Sequence, residues 1–217
     1  AKSITFLRFR NEPFVIKLKN KLHKTYSKSN NQLLKINDLD NFKDSAYSYG
    51  RLIDYYKSLY DLVDVFHFNS TVTEAIYRKN LCGIKGKVVP ITNSNILDNR
   101  TKGFLCGKTL KMIFVGHTDA FKGFPLLKSV LLELQQYDWQ LDVWGGIEGI
   151  DSDSKKIVYK GRYTKEDLPR IYSNCTIAIV PSHCYETFSF VTLEALSYGV
   201  PVLVSDHVGA KTIVSEY

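Results

Sequence analysis

The sequence has 217 residues, 44% of them hydrophobic and 24% charged, with a formal net charge of +7. That length allows one large domain or two modest ones, and no apolar run reaches the roughly 18 residues that cross a bilayer as a helix. The positive charge comes without an RNP-type aromatic motif or zinc-finger spacing, which argues against a nucleic-acid partner.

The first residues, Ala1 to Thr5, carry no apolar h-region, so no signal peptide is expected. With no initiator Met, the sequence reads as a fragment. Cys82, Cys106, Cys175 and Cys184 form no Cys-x-x-Cys pair, and no Cys/His cluster has zinc spacing. Free, mostly buried thiols of a reducing cytoplasm are expected, and no metal site.

Residues 1 to about 90 are rich in Lys, Asn and Tyr. Their pattern predicts an edge strand over 3–8, a helix over 13–26 and a second helix over 46–62. In the second, Leu52, Tyr55, Tyr56 and Leu59 recur at helical spacing. The Lys-rich stretch 17–24 reads as a solvated helix face that could also touch an anionic membrane surface. A strand is expected over 63–68, and Asn69-Ser70-Thr71 can cap the helix after it.

From about residue 109 the pattern becomes regular. Strands are predicted over 111–115, 141–144, 156–159, 176–180 and 201–205. Between the first two, a helix opens with Pro125 and sets Leu126, Leu127, Val130, Leu131 and Leu134 on one face. Thr164 and Asp167 start another helix in capping-box style. A helix from about Phe190 ends at Gly199, placed as a C′ glycine. Continuous Val/Ile/Leu strands alternating with helices argue for a parallel α/β sheet, whose ligands bind outside the carboxyl ends of the strands. The loops there are 116–125, 145–152, 161–164, 182–189 and 206–211.

Two of these loops carry chemistry. In Gly116 to Gly123, Lys122 stands just before a helix. A cation there is unfavourable for the helix dipole unless an anion joins it; a surface Lys-Gly turn is the other reading. The spacing fits neither a dinucleotide fingerprint nor a P-loop. In the fourth loop, Glu186 and Glu194 flank seven residues. Glu194 falls one turn into the helix and Glu186 on the loop before it. The amides of residues 188–191 then face outward as a phosphate cradle between two carboxylates that can accept sugar hydroxyls. Two unrelated glutamates near a cap fit the spacing equally.

The stretch from Val180-Pro181-Ser182 through Glu186-Thr187-Phe188-Ser189-Phe190 and Leu193-Glu194-Ala195 to Gly199-Val200-Pro201 resembles the donor-site signature of retaining GT-B glycosyltransferases. It is most similar to family 4 and to the enzymes that build bacterial surface polysaccharides. Gly116 with Lys122-Gly123 resembles the family's phosphate loop, Gly161 its nucleobase loop, and Asp206 to Ala210 the loop after its last donor-side strand. Phe66 to Ser70 and Pro90 to Arg100 resemble the end of the N-terminal domain and the linker. The match is strong over 110–214 and weaker before.

The resemblance implies an α/β GT-B architecture: residues 1–92 as the tail of an N-terminal, acceptor-side domain, 93–106 as a linker, and 107–217 as a truncated nucleotide-sugar-binding domain. It implies that Glu194 holds ribose and Glu186 the transferred sugar, as the one residue placed in the catalytic centre. It gives Lys122 the diphosphate, residues Phe188, Ser189 and Phe190 backbone amides for phosphate and sugar, and Arg162 and Tyr163 the border of the base. The donor is then a UDP-, GDP- or ADP-sugar, with no cofactor and no metal; the acceptor is a glycan or lipid-linked sugar, reached in the cytoplasm or at the inner face of the membrane. Two positions depart from the family pattern: His117 stands where Arg is frequent, and Ser189 where glycine is usual. A nucleotide-sugar epimerase of the same fold and a non-catalytic partner subunit are the alternatives. An epimerase needs a general base beside the sugar ring, and the intact Glu186, Glu194 and Lys122 argue against a non-catalytic partner.

Overall fold

The computed structural model describes residues 17, 18, 20–22, 24, 49–94, 96–100 and 108–216. The strand expected over 3–8 and Cys106 lie outside them. Helix α1 is Tyr49–Tyr60, followed by β1 (Phe66–Phe68), α2 (Thr71–Asn80) and β2 (Gly86–Val88). β1 is shorter than expected: Val63 and Val65 are exposed and only 66–68 find a partner, the parallel strand β2. β2 was not apparent in the sequence, because its Gly-Lys-Val carries too little apolar pattern. Ser70 caps α2 by accepting from Thr73 N at 3.1 Å.

The second part is one six-stranded sheet, in the order β5-β6-β4-β3-β7-β8. Its elements are β3 (Leu110–Val115), α3 (Phe124–Leu132), β4 (Trp139–Trp144), β5 (Glu148–Ile150), β6 (Ile157–Lys160), α4 (Leu168–Ser173), β7 (Ile177–Val180), α5 (Phe190–Ser197), β8 (Val202–Val204) and α6 (Lys211–Glu216). All neighbours run parallel except β5 on β6. Alternation along the strands sends side chains to two cores. Met112, Phe114, Leu141, Val143, Ile157 and Ile179 pack under Leu127, Val130 and Leu131 of α3, and Leu18 joins them fully buried. Ile113, Val115, Trp144 and Val180 pack with Leu168, Ile171 and Tyr172 of α4 and Ala195 of α5.

Strand β4 starts two residues before the sequence-based boundary. Trp139 pairs with Leu110 and is buried, its indole N–H donating to Leu134 O at 2.9 Å, so the ladder extends backwards over it. Thr164 and Asp167 form the expected capping box, but around a short 3₁₀ turn, Lys165–Asp167, that precedes α4. Strand β5 occupies what reads as loop. All three of its residues are exposed, so no apolar pattern announces it; it exists by antiparallel pairing, Glu148 with Lys160 and Ile150 with Val158. The next residue, Asp151, is buried and accepts from Tyr159 Oη at 2.7 Å and Lys128 Nζ at 2.9 Å. The crossover from β4 to β6 thus contains a strand instead of a helix.

Among the described residues no helix is long and apolar enough to cross a membrane. Of the cysteines described, Cys175 is buried, Cys184 half-buried and Cys82 exposed, all as free thiols; burial pushes the Cys175 thiol up to about 12. The exposure of Cys82 departs from the expectation of mostly buried thiols. In the basic stretch, Lys17 donates to Tyr137 Oη at 2.6 Å and Lys21 pairs with Glu133. Part of its charge is therefore engaged within the chain.

Candidate functional site

The chain leaves β3 on one side, through β4 and β6, and returns to its other side as β7 and β8. The helices that follow β3 and β7 therefore pack on opposite faces of the sheet, and the carboxyl ends of these adjacent strands form the switch point beside which ligands of such sheets bind. Gly116 ends β3, its N–H donating to Trp144 O at 2.8 Å. Gly123, at φ 73, begins α3 so close to the β7 loop that a Cβ would lie 2.0 Å from Pro181 O. No other residue fits there. Two further bonds join the loops: His183 N and Cys184 N both donate to Phe121 O, at 2.9 and 3.1 Å.

Between the two loops Lys122 and Glu186 meet. Lys122 N donates to Asp119 Oδ1 at 2.9 Å, and its Nζ donates to Glu186 Oε1 at 2.9 Å. The Ser182 hydroxyl donates to the same carboxylate oxygen. The Glu186 backbone is fixed by the loop after β8: Glu186 N donates to His207 O at 3.0 Å, and Gly209 N to Glu186 O at 3.0 Å. Gly209 is needed at this junction, since a Cβ would lie 2.1 Å from Thr187 O. That carbonyl also accepts from Ser70 Oγ at 2.6 Å, so the N-terminus of α2 rests on the glutamate loop.

Next along the chain, Phe188 is buried and Phe190 stands more exposed, with their rings edge-on at 6.0 Å. Ser189 between them has φ 93 and ψ 92, and it alone among the described non-glycine residues has a positive φ. Glycine would adopt that conformation freely. Thr192 Oγ1 donates to Ser189 Oγ at 3.1 Å.

Glu194 lies one turn into α5, half-buried. Burial raises its carboxyl above the ordinary value, against the opposing pull of the Tyr172 hydroxyl and the charge of Lys165. Tyr172 Oη lies 3.4 Å from Glu194 Oε2 and stacks on Tyr198 at 5.2 Å. Burial raises the Tyr163 hydroxyl above its usual value, and the charge of Glu194 adds to the rise. Gly161, before it, is buried and donates to Ile147 O at 3.1 Å, while Arg162 is exposed. So Lys122 meets Glu186 directly, whereas Arg162 lies at the surface and Tyr163 is half-buried beside it in the chain.

Ser182, Tyr172 and Ser70 were not singled out as site residues from sequence. Ser182 sits in the quoted Val-Pro-Ser run, Tyr172 lies on an apolar helix face, and Ser70 reads as a cap alone. Among the described residues no group of three or more His, Cys, Asp or Glu is placed to hold a metal ion. A separate groove of about 230 Å³ lies on the α4 face of the sheet, away from these loops; it holds the Lys160–Asp142 ion pair at 3.2 Å and the Lys111–Asn174 bond at 3.1 Å.

The parallel sheet, with Lys122, Glu186 and the start of α5 at its switch point, has the arrangement of one Rossmann-like half of a GT-B fold. The sequence profile of the family described as glycosyl transferases group 1 matches residues 109–217, and the chain belongs to that family. It is 36% identical over 113 residues to an uncharacterized glycosyltransferase of Methanocaldococcus jannaschii, which covers 48% of this chain and 29% of that protein. It is 27% identical over 115 residues to an uncharacterized 41.2 kDa protein in the cps region of Klebsiella pneumoniae, covering 49% and 30%. The chain thus spans under a third of the curated relatives it matches. Sucrose-phosphate synthase of Thermosynechococcus elongatus shares the fold at TM-score 0.59 and 23% identity, over 79% of this chain and 47% of that one. Anabaena HepE in complex with UDP and glucose does so at TM-score 0.57 and 14% identity, over 75% and 50%.

Proposed function

We propose that this chain is the donor-binding part of an enzyme that transfers a sugar from a nucleoside diphosphate sugar to a glycan or lipid-linked acceptor, with retention of anomeric configuration. The observation that supports it most is the meeting of Lys122 and Glu186 at 2.9 Å at the switch point. A cation and a carboxylate side by side suit a ligand that carries phosphate next to sugar hydroxyls. In this reading Lys122 and the amides of Phe188, Ser189 and Phe190 hold the diphosphate and stabilise the leaving-group charge without a metal. Glu186 orients the transferred sugar, Glu194 takes the ribose, and Gly161, Arg162 and Tyr163 border the base. Gly116 leaves room beside the phosphates.

Residues 1–92 then form the end of the acceptor-side domain, 93–106 the linker, and 107–217 the donor domain. The enzyme works on the cytoplasmic side, where the basic stretch 17–24 can meet an anionic membrane surface. Thermal-shift measurement against UDP-, GDP- and ADP-sugars tests the donor reading, beginning with UDP-glucose because a fold neighbour holds UDP and glucose. Stabilisation by sugars of one base is expected. A folded chain that none of them stabilises overturns it.

A further inference from the structure

Ser70 lies before residue 109, outside the stretch matched by the family profile. It opens α2 and is 2% exposed. Its hydroxyl does two things at once: Oγ accepts from Thr73 N at 3.1 Å and donates to Thr187 O at 2.6 Å. Thr73 Oγ1 lies 3.2 Å from the same carbonyl, but its single proton has a nearer acceptor in Asn69 Oδ1 at 2.9 Å. Ser70 is therefore the main donor. Gly209 leaves the space for this contact, since a Cβ there would lie 2.6 Å from Ser70 Oγ.

The Thr187 carbonyl belongs to the same peptide unit as the Phe188 N–H. A trans peptide is planar and points its C=O and N–H in opposite directions. Holding the carbonyl towards α2 thus turns the Phe188 N–H away from α2. The following peptide is held as well, by Ala210 N donating to Phe188 O at 2.7 Å. Both planes around Phe188 are fixed immediately before the positive-φ Ser189 and the first turn of α5.

We propose that Ser70 is a positioning residue for the donor: its hydroxyl sets the Thr187–Phe188 peptide plane so that the Phe188 N–H is presented to the diphosphate. The proposal rests on the donor-site reading above. Ser70 does not touch the ligand; it acts through one peptide unit, and it makes diphosphate affinity depend on the segment that carries β1 and α2.

Two variants test this in the whole chain. Ser70→Ala removes both the cap and the donated bond, whereas Ser70→Gly removes the donated bond with little loss of capping. Calorimetry with UDP, GDP and ADP first identifies the tightest diphosphate; its parent nucleoside is the second probe. Both variants are expected to weaken the diphosphate about tenfold and to leave the nucleoside within about twofold. Equal weakening of both probes, or unchanged diphosphate affinity in a folded variant, overturns the role of Ser70 and leaves the donor-site reading standing. A wild-type chain that binds none of the three diphosphates overturns that reading and the role of Ser70 with it.

Discussion

Lys122 Nζ and Glu186 Oε1 come from loops 64 residues apart and lie 2.9 Å from one another. Each answers the other's charge, so a diphosphate that reaches Lys122 competes with Glu186. Lys122→Ala is expected to weaken a nucleoside diphosphate by roughly 1.5–3 kcal/mol and its nucleoside much less. Glu186→Gln is expected to keep or raise diphosphate affinity while removing the preference for the nucleotide sugar over the diphosphate. Calorimetry on the three ligands checks both; equal losses for nucleoside and diphosphate in Lys122→Ala would assign Lys122 to structure alone.

Glu194 gives a pH dependence with a defined sign. Burial raises its carboxyl above the ordinary 4.5, so the free protein takes up this proton earlier than an exposed glutamate does. Ribose hydroxyls bind the ionised form, so nucleoside affinity should be fully present above the raised value and fall as pH drops through it. Folding goes the other way: the buried charge is a penalty above that value, relieved as the group protonates. A nucleoside is the right probe because it has no phosphate to titrate. Glu194→Gln should flatten the pH profile, and Glu194→Ala should weaken binding by roughly 1.5–3 kcal/mol. A profile unchanged in the glutamine variant separates Glu194 from the ribose.

Ser189 holds a backbone conformation that side chains rarely adopt. Its side chain caps no backbone N–H of α5, and glycine would lose the 3.1 Å bond that Ser189 Oγ accepts from the Thr192 hydroxyl. Ser189→Gly is expected to stabilise the fold by about 0.5–1 kcal/mol, the released strain exceeding the lost Thr192 bond and the added freedom of the unfolded chain. Urea denaturation should show a higher midpoint at unchanged slope; a lower midpoint would place the strain elsewhere.

Lys128 ties the end of β5 to α3 through two carboxylates. Its Nζ lies 2.9 Å from Asp151 and 2.7 Å from Asp153. Burial alone would raise the Asp151 carboxyl, but the bonds from Lys128 and Tyr159 outweigh it and hold the group below its ordinary 3.8. Such a depressed carboxylate stabilises the fold above the ordinary value and ceases to do so as pH falls through the lowered one. Lys128→Met should destabilise by about 2–4 kcal/mol near neutral pH, because it strips a buried carboxylate of its cation. The gap should narrow on acidification. A variant as stable as wild type at neutral pH would show that Tyr159 suffices.

The parallel sheet was legible because its strands are apolar on both faces, as in Lys111 to Val115 and Thr176 to Val180. The helix caps at Ser70, Thr164 and Gly199 were legible from side-chain chemistry alone. Strand β5 was not, since its residues are exposed and its only cause is the partner across from it. In the site, spacing brought out Lys122, Glu186 and Glu194. It could not show that Lys122 and Glu186 touch, because a contact 64 residues distant depends on strand order. Nor could it show Ser70 on Thr187, 117 residues away.

The strand that replaces a crossover helix also determines how the sheet ends. The antiparallel β5 forms one border, three residues long, with Gly149 in its middle at φ 139. A border that short offers a neighbouring molecule almost no ladder to extend, although Ile147 before it and Ile150 within it are exposed. Recruitment of a foreign strand, the usual hazard of an uncovered sheet edge, is thereby disfavoured on that side by the shortness of the strand.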